Sequence, residues 1–308
     1  MNHSLIIDCD PGVDDAIAIL LALASTSLSV LGITTVAGNV PLALTYRNAR
    51  KICALAGKPK TPVYAGCPRP LLRPLATAEE VHGATGLQGA ELPEPVAAEN
   101  SVHAVDFLRE RLLNASEPIT IAVLGPMTNI AVALIQSPQI ADNIRQLVIM
   151  GGAREAGNIT QSAEFNIHVD PHAAQVVLSA GIPTVLIPLD TTHQVLTTPQ
   201  RLERIRAVGN PVATAAAGML SFYGEADRKK HNLPAGPLHD PCTIAYLLNP
   251  ALFTTREVPV SVELSDEQTI GRTVIDWHSN APSTIQVTDT ADADGFYELL
   301  INALASYS

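Results

Sequence analysis

The chain has 308 residues, 47% hydrophobic and only 16% charged, enough apolar material for one large α/β core or a core with a small appendage. A net charge of −11 argues against a nucleic-acid backbone or an anionic membrane surface as partner, because both recruit clustered Lys and Arg. No apolar run approaches a membrane span, and Met1-Asn2-His3-Ser4 lacks the basic region of a secretory signal, so a cytoplasmic chain is expected.

In chain order, the pattern predicts a strand near 4–8, a helix near 14–25, a strand near 30–36 and a helix near 41–56. Residues 66–100 carry Pro68, Pro70, Pro74, Pro93 and Pro95, too long a connection to be ordinary, and read as a functional lid. A helix near 101–114, a strand near 118–124, a helix near 128–137 and a strand near 146–150 follow. A helix near 171–180 is opened by Asp170-Pro171 and closed by Gly181, before a strand near 183–189. The polar stretch 221–237, with Glu225, Asp227, Arg228, Lys229, Lys230 and His231, reads as a second flap. The tail 256–288 alternates, as in Val258-Pro259-Val260-Ser261-Val262, which suggests antiparallel strands ahead of a closing helix at 292–306. The order is that of an α/β fold, a mainly parallel sheet flanked by helices with a small antiparallel C-terminal region, in a single domain over 1–308.

Each of the five strands runs into a small or polar segment: Asp8–Asp15, Ala37-Gly38-Asn39, Gly125-Pro126, Gly151-Gly152 and Asp190-Thr191-Thr192-His193. Parallel strands carry such ends to one edge, so a single cleft should hold the carboxylates, Asn39 and the loop after residue 150. Cys9, Cys53, Cys67 and Cys242 have neither metal-site spacing nor the density of a disulfide framework. Cys9, set between carboxylates that raise a thiol's pKa, reads as a packing residue and not a nucleophile.

Asp8, Asp10, Asp14 and Asp15 place four carboxylates in eight residues between an apolar strand and an apolar helix. A helix cap needs one such group. Four at a strand's carboxyl end call for a cation, and oxygen-only ligands favour Ca²⁺ or Mg²⁺ over zinc. An EF-hand loop is excluded because Gly12 and Val13 occupy its fifth and sixth positions. His168 and His172 have metal-pair spacing, but Asp170-Pro171 interrupts any shared helical face.

The string Asp8-x-Asp10-Pro11-Gly12-x-Asp14-Asp15 resembles the amino-terminal signature of the inosine–uridine-type nucleoside hydrolases. Further matches follow in family order: Ala37-Gly38-Asn39, Val81-His82-Gly83 with Gly86-Leu87, Gly125-Pro126-Met127-Thr128-Asn129, Met150-Gly151-Gly152, Gly157-Asn158, Ala163-Glu164-Phe165-Asn166 with Val169-Asp170-Pro171, and Leu238-His239-Asp240-Pro241. The resemblance implies a Rossmann-like nucleoside hydrolase fold and cleavage of the N-glycosidic bond of a ribonucleoside to ribose and free base. It implies Ca²⁺ held by Asp10, Asp15, Asp240 and the backbone carbonyl of Leu124, where many relatives have Thr, with a water at the ion attacking directly and Asp10 as its base. Asp14, Asn39, Asn158, Glu164 and Asn166 match ribose-holding positions, Asp14 near the 2′-hydroxyl and Asn158 and Glu164 near the 5′-hydroxyl. His239 matches the acid that protonates the departing base, and His82 a second histidine beside it. Homodimers or homotetramers are implied as well.

The stretch from Val81-His82-Gly83 to Leu92-Pro93-Glu94-Pro95 most resembles the pyrimidine-preferring bacterial members, which implies uridine and cytidine; a purine-accepting or nonspecific hydrolase is the alternative. A haloacid-dehalogenase-like phosphatase also places Asp-x-Asp after its first strand and uses Mg²⁺, but the later Lys and acidic pair it needs have poor candidates here. A Ca²⁺-dependent nucleoside-binding protein without catalysis is the non-enzymatic alternative, opposed by the intact Asp10, Asp240 and His239.

Overall fold

Leu5, Ile6 and Ile7 are all fully buried, as a strand must be when helices cover both faces of its sheet. In the computed structural model, which describes residues 3–95, 97–223, 228–229 and 232–308, they lie on β1 (His3–Cys9). The other strands of the main sheet are β2 (Leu28–Thr35), β3 (Val63–Ala65), β4 (Ile119–Val123), β5 (Ile144–Met150), β6 (Thr184–Ile187), β9 (Phe253–Glu257) and β12 (Ile285–Ala291). Their order is β3-β2-β1-β4-β5-β6-β12-β9, parallel except for β9, which runs antiparallel to β12 at the edge. Two short antiparallel pairs stand apart: β7 (Leu196–Thr197) with β8 (Gly236–Pro237), and β10 (Val260–Val262) with β11 (Thr273–Ile275).

Side chains alternate along β1. Leu5, Ile7 and Cys9 join the core that includes α1 (Val13–Ala24), α2 (Leu42–Leu55), helix Pro241–Leu248 and helix Ala293–Ala305. Ile6 faces the opposite core, built with helices Ala104–Leu113, Thr128–Gln136 and Pro171–Leu178. The chain leaves β1 for β2 and β3 on one side and returns to β4 on the other. The sheet therefore has its topological switch between β1 and β4, where open α/β sheets bind ligands beyond the strands' carboxyl ends. Asp10 follows β1 there, and Leu124-Gly125 follow β4.

The five strands and the neighbouring helices read from the sequence are present with ends shifted by a few residues. The tail is more elaborate than its alternation suggested: β9 and β12 are antiparallel partners, but β12 also pairs in parallel with β6 and extends the main sheet. Parallel pairing depends on what a strand meets in space, which alternation does not encode. The 66–100 segment is mostly irregular, with one short helix, Glu79–His82. Of the expected second flap, Glu225, Asp227, Lys230 and His231 lie outside the described residues. Among the described residues no helix is long and apolar enough to cross a membrane.

Candidate active site

The turn after β1 folds back on its own carboxylates. At the N-terminus of α1, Asp15 Oδ2 accepts the Gly12 amide at 2.9 Å and Oδ1 accepts the Asp10 amide at 3.1 Å. Asp15 thus performs the capping duty that a lone acid would, and also stands in the cluster. Asn39, past the end of β2, clamps the turn: its amide donates to Asp10 Oδ2 at 2.7 Å, and its Nδ2 donates to Asp10 O at 3.2 Å and Asp15 Oδ2 at 3.1 Å. Asp8 points to the other side, where Thr34 Oγ1 (2.6 Å) and Asn129 Nδ2 (2.9 Å) donate to its Oδ1.

Asp14, Asp15 and Asp240 are buried, and one oxygen from each lies within 4.8 Å of the others. Asp10 is fully buried beside them; its Oδ1 and Asp14 Oδ1 have no hydrogen-bond partner among the described residues. Burial, then the neighbouring acids, pushes the Asp15 carboxyl up to about 7 and those of Asp10 and Asp240 well above the usual carboxylate range. Orphaned anionic oxygens in an all-oxygen set are what a hard divalent cation satisfies, so the residues fit such an ion. The geometric trio contains Asp14, which the sequence reading placed on the ribose; Asp10 lies next to the trio.

Above this floor opens a cavity lined by residues from eight segments, among them Asp14, Asn39, His82, Leu124, Asn158, Glu164, Asn166, His239 and Asp240. All the expected ribose-holding residues therefore line one cavity. Each also has local work. Glu164 caps helix Phe165–Val169, its carboxylate accepting from Asn166 N, Ile167 N and Gly152 N at 2.8–3.1 Å, and burial raises its pKa. Asn158 Oδ1 accepts from Phe165 N at 2.9 Å. Asn166 Nδ2 donates to the Leu124 carbonyl at 2.7 Å, the group expected on the ion, and to Met150 O at 3.2 Å.

The two histidines are held differently. His82 Nδ1 accepts the Val13 amide at 3.1 Å, so the proton of its neutral ring sits on Nε2. His239 Nδ1 lies 2.7 Å from Thr192 Oγ1. Between the rings stands Tyr223, its centroid 5.3 Å from His82 and 6.4 Å from His239, donating its hydroxyl to Asp14 Oδ2 at 2.8 Å. Sequence reading missed Tyr223, because one tyrosine at the end of helix Pro211–Phe222 carries no signal of its own. Thr192 was read only as part of a polar strand end. Cys9 is buried, with burial and then Asp15 raising its pKa, as the reading of an inert thiol requires.

The family model "Inosine-uridine preferring nucleoside hydrolase" matches residues 5–298. The chain is 45% identical over 312 residues to the pyrimidine-specific ribonucleoside hydrolase RihA of Salmonella gallinarum, covering 100% of both chains. It is 50% identical over 305 residues to an uncharacterized protein of Schizosaccharomyces pombe, covering 97% of this chain and 98% of that one. Among solved structures, a purine-preferring ribonucleoside hydrolase from Gardnerella vaginalis superposes with a TM-score of 0.91 at 32% identity, over 98% of each chain.

Proposed function

Because the chain belongs to the inosine-uridine preferring nucleoside hydrolase family, we propose that this cavity hydrolyses ribonucleosides to ribose and free base, with pyrimidine nucleosides, uridine and cytidine, as the favoured substrates. The N-glycosidase activity rests on the family, and the relatives named above that carry an activity in their names are ribonucleoside hydrolases, not phosphatases. The pyrimidine preference is supported by the closer sequence match to RihA than to the purine-preferring structure.

The observation that carries the site assignment is the buried carboxylate floor facing a wall of two histidines. Asp10, Asp15, Asp240 and the Leu124 carbonyl are assigned to the ion, with Asp14 close enough to join them. Oxygen donors alone suit a hard ion, Ca²⁺ or Mg²⁺, and Ca²⁺ is the ion we assign from the family resemblance. When bound, it supplies a Lewis acid that acidifies a water and fixes ribose hydroxyls. Asp10, with its unpartnered Oδ1, takes the water's proton. Positive charge developing on the ribose is balanced by the surrounding acids and amides, Asp14, Asn39, Asn158, Glu164 and Asn166. His239 delivers a proton to the departing base, and the Nε2–H of His82 hydrogen-bonds it.

The same reading makes the chain a cytoplasmic enzyme folded as one domain and assembled as a homodimer or homotetramer. Four free cysteines agree with a reducing compartment.

The test is ribose release from uridine, cytidine, inosine and adenosine by the purified chain supplied with Ca²⁺, with His239→Ala alongside. Turnover of uridine and cytidine above inosine is expected. Faster purine turnover would overturn the base preference alone, and no ribose from any nucleoside would overturn the activity.

A further inference from the structure

The hydrogen bond between Thr192 and His239 has no part in holding ribose or ion, yet its surroundings make it unusually well fixed. Thr192 ends the four-residue helix Leu189–Thr192 after β6. That helix is tied to two neighbours besides its own backbone bond. Leu189 N donates to Gly152 O at 2.9 Å, beside the cavity loop. Thr191 Oγ1 donates to Thr288 O on β12 at 2.9 Å, and Thr288 Oγ1 donates back to Thr191 Oγ1 at 2.8 Å. Thr192 N donates to Pro188 O at 3.1 Å. A β-branched side chain on so constrained a backbone has few rotamers to choose from. Thr192 is fully buried and His239 nearly so.

The hydroxyl lies 2.7 Å from His239 Nδ1, where either partner can donate, and 3.4 Å from Leu189 O, so a protonated His239 can donate from Nδ1 to Thr192 Oγ1 while the hydroxyl's own proton goes to Leu189 O. The shorter contact is the stronger bond. His239 sits in the short run between β8 and helix Pro241–Leu248, where Leu238 N donates to Val195 O at 2.9 Å and fixes the backbone but not the ring. Among the contacts of the imidazole, the Thr192 hydroxyl is the one at Nδ1.

We propose that Thr192 is a positioning residue for His239: its hydroxyl anchors Nδ1, so that the ring's other nitrogen, Nε2, is turned to the leaving base in the cavity. The proposal rests on the reading of His239 as the group that protonates the base. A group held within hydrogen-bond reach of the reacting atom transfers a proton efficiently, and one free to rotate does so only in a fraction of encounters. A merely structural bond would lower stability when lost and would not distinguish between leaving groups. A positioning bond would.

The experiment measures kcat and KM for uridine and for p-nitrophenyl riboside, whose phenolate leaves without protonation, in wild type, Thr192→Val, Thr192→Ser, His239→Ala and the Thr192→Val/His239→Ala double variant. Thr192→Val should lower kcat on uridine by about 10- to 100-fold, part of the ~10²–10⁴-fold a positioned acid supplies, with KM and p-nitrophenyl riboside turnover changed by no more than about threefold. Thr192→Ser keeps the hydroxyl and should restore most of kcat on uridine. In the double variant, removal of the hydroxyl should cost nothing beyond His239→Ala, because the two residues act as one unit. If Thr192→Val fails to melt cooperatively, Thr192→Ala carries the same expectations. A normal kcat on uridine in the folded variant, an equal loss on both substrates, or losses that multiply with His239→Ala would overturn the proposal while leaving the histidine's role intact. A His239→Ala enzyme that turns over uridine normally would overturn the reading of His239 itself, and the proposal with it.

Discussion

The carboxyl groups of Asp15, in the first turn of α1, and Asp240, at the start of the helix Pro241–Leu248, meet on the cavity floor, with one oxygen of each within 4.8 Å of the other. Carboxylates buried this close to one another repel, so burial, and then the neighbouring acids, keep a proton on the cluster. A divalent ion at this place must displace it. In the metal-free protein Asp15 holds its proton up to about 7, whereas the unfolded chain releases it near 3.8. Stability of the metal-free fold therefore falls as pH rises from about 3.8 through about 7, and stabilisation by the ion grows over the same window. At pH 8, Ca²⁺ at about 100 times its dissociation constant should add about 2.7 kcal/mol, and at pH 5 much less at the same concentration. Thermal melts with and without chelator at the two pH values check this; an ion-induced shift that is equal or larger at pH 5 would sink the assignment.

Asp8 gives a second pH signature. Burial pushes its carboxyl up to about 7 against the hydrogen bonds of Thr34 and Asn129, and its Oδ2 has no partner. Asp8→Asn keeps an acceptor for both donors and removes the ionisation. The wild type loses the Asp8 contribution to stability between about 3.8 and about 7 and the variant has no such contribution to lose, so the variant's melting temperature relative to wild type should rise across that interval and level off above it. A difference that is flat with pH would show that Asp8 is ionised in the fold at all these values.

Gly125, after β4, approaches Asp10 so closely that a Cβ there would collide with Asp10 Oδ1. The backbone at Gly125 is not in the left-handed region, so space and not conformation requires glycine. Gly125→Ala should displace the Asp10 carboxylate, lowering kcat by at least the ~10²-fold expected for disturbing a general base, with a smaller effect on the metal-free melting temperature. Near-normal turnover would mean that Asp10 need not stay where it is.

Asp14 is held by the Tyr223 hydroxyl and faces the cavity. If it bonds the 2′-hydroxyl, 2′-deoxyuridine leaves a buried carboxylate unpaired and should fall below uridine by up to about 10⁴–10⁵ in kcat/KM. Tyr223→Phe should narrow that ratio by loosening Asp14. Comparable efficiencies for the two nucleosides would remove Asp14 from the 2′ position.

Much of the cavity was legible because its residues sit at the ends of parallel strands, and strands of this kind announce themselves as apolar runs. Asp10 and Asn39 could be placed on one edge before any coordinates, as could the loop carrying Asn158 and Glu164. Ion, ribose and acid roles came from motif resemblance, since spacing alone cannot tell a capping aspartate from a ligand, and Asp15 turns out to accept capping bonds within the cluster. Tyr223 and Thr192 were out of reach for a different reason: each meets its partner across more than forty residues of sequence, through packing of helices that no local pattern describes. The parallel pairing of β12 with β6 belongs to the same class.

Among the described residues lining the cavity, Asp14, Glu80, Glu164 and Asp240 are acidic and there is no Lys or Arg. A 5′-phosphate brought there would enter beside Glu164 with nothing to balance it, and juxtaposed like charges cost several kcal/mol. The enzyme can thus work amid a large pool of nucleotides without consuming them or being clogged by them, and its supply of substrate is set by whatever reaction removes the phosphate. Uridine hydrolysis measured with an excess of uridine 5′-monophosphate should run at its unhindered rate.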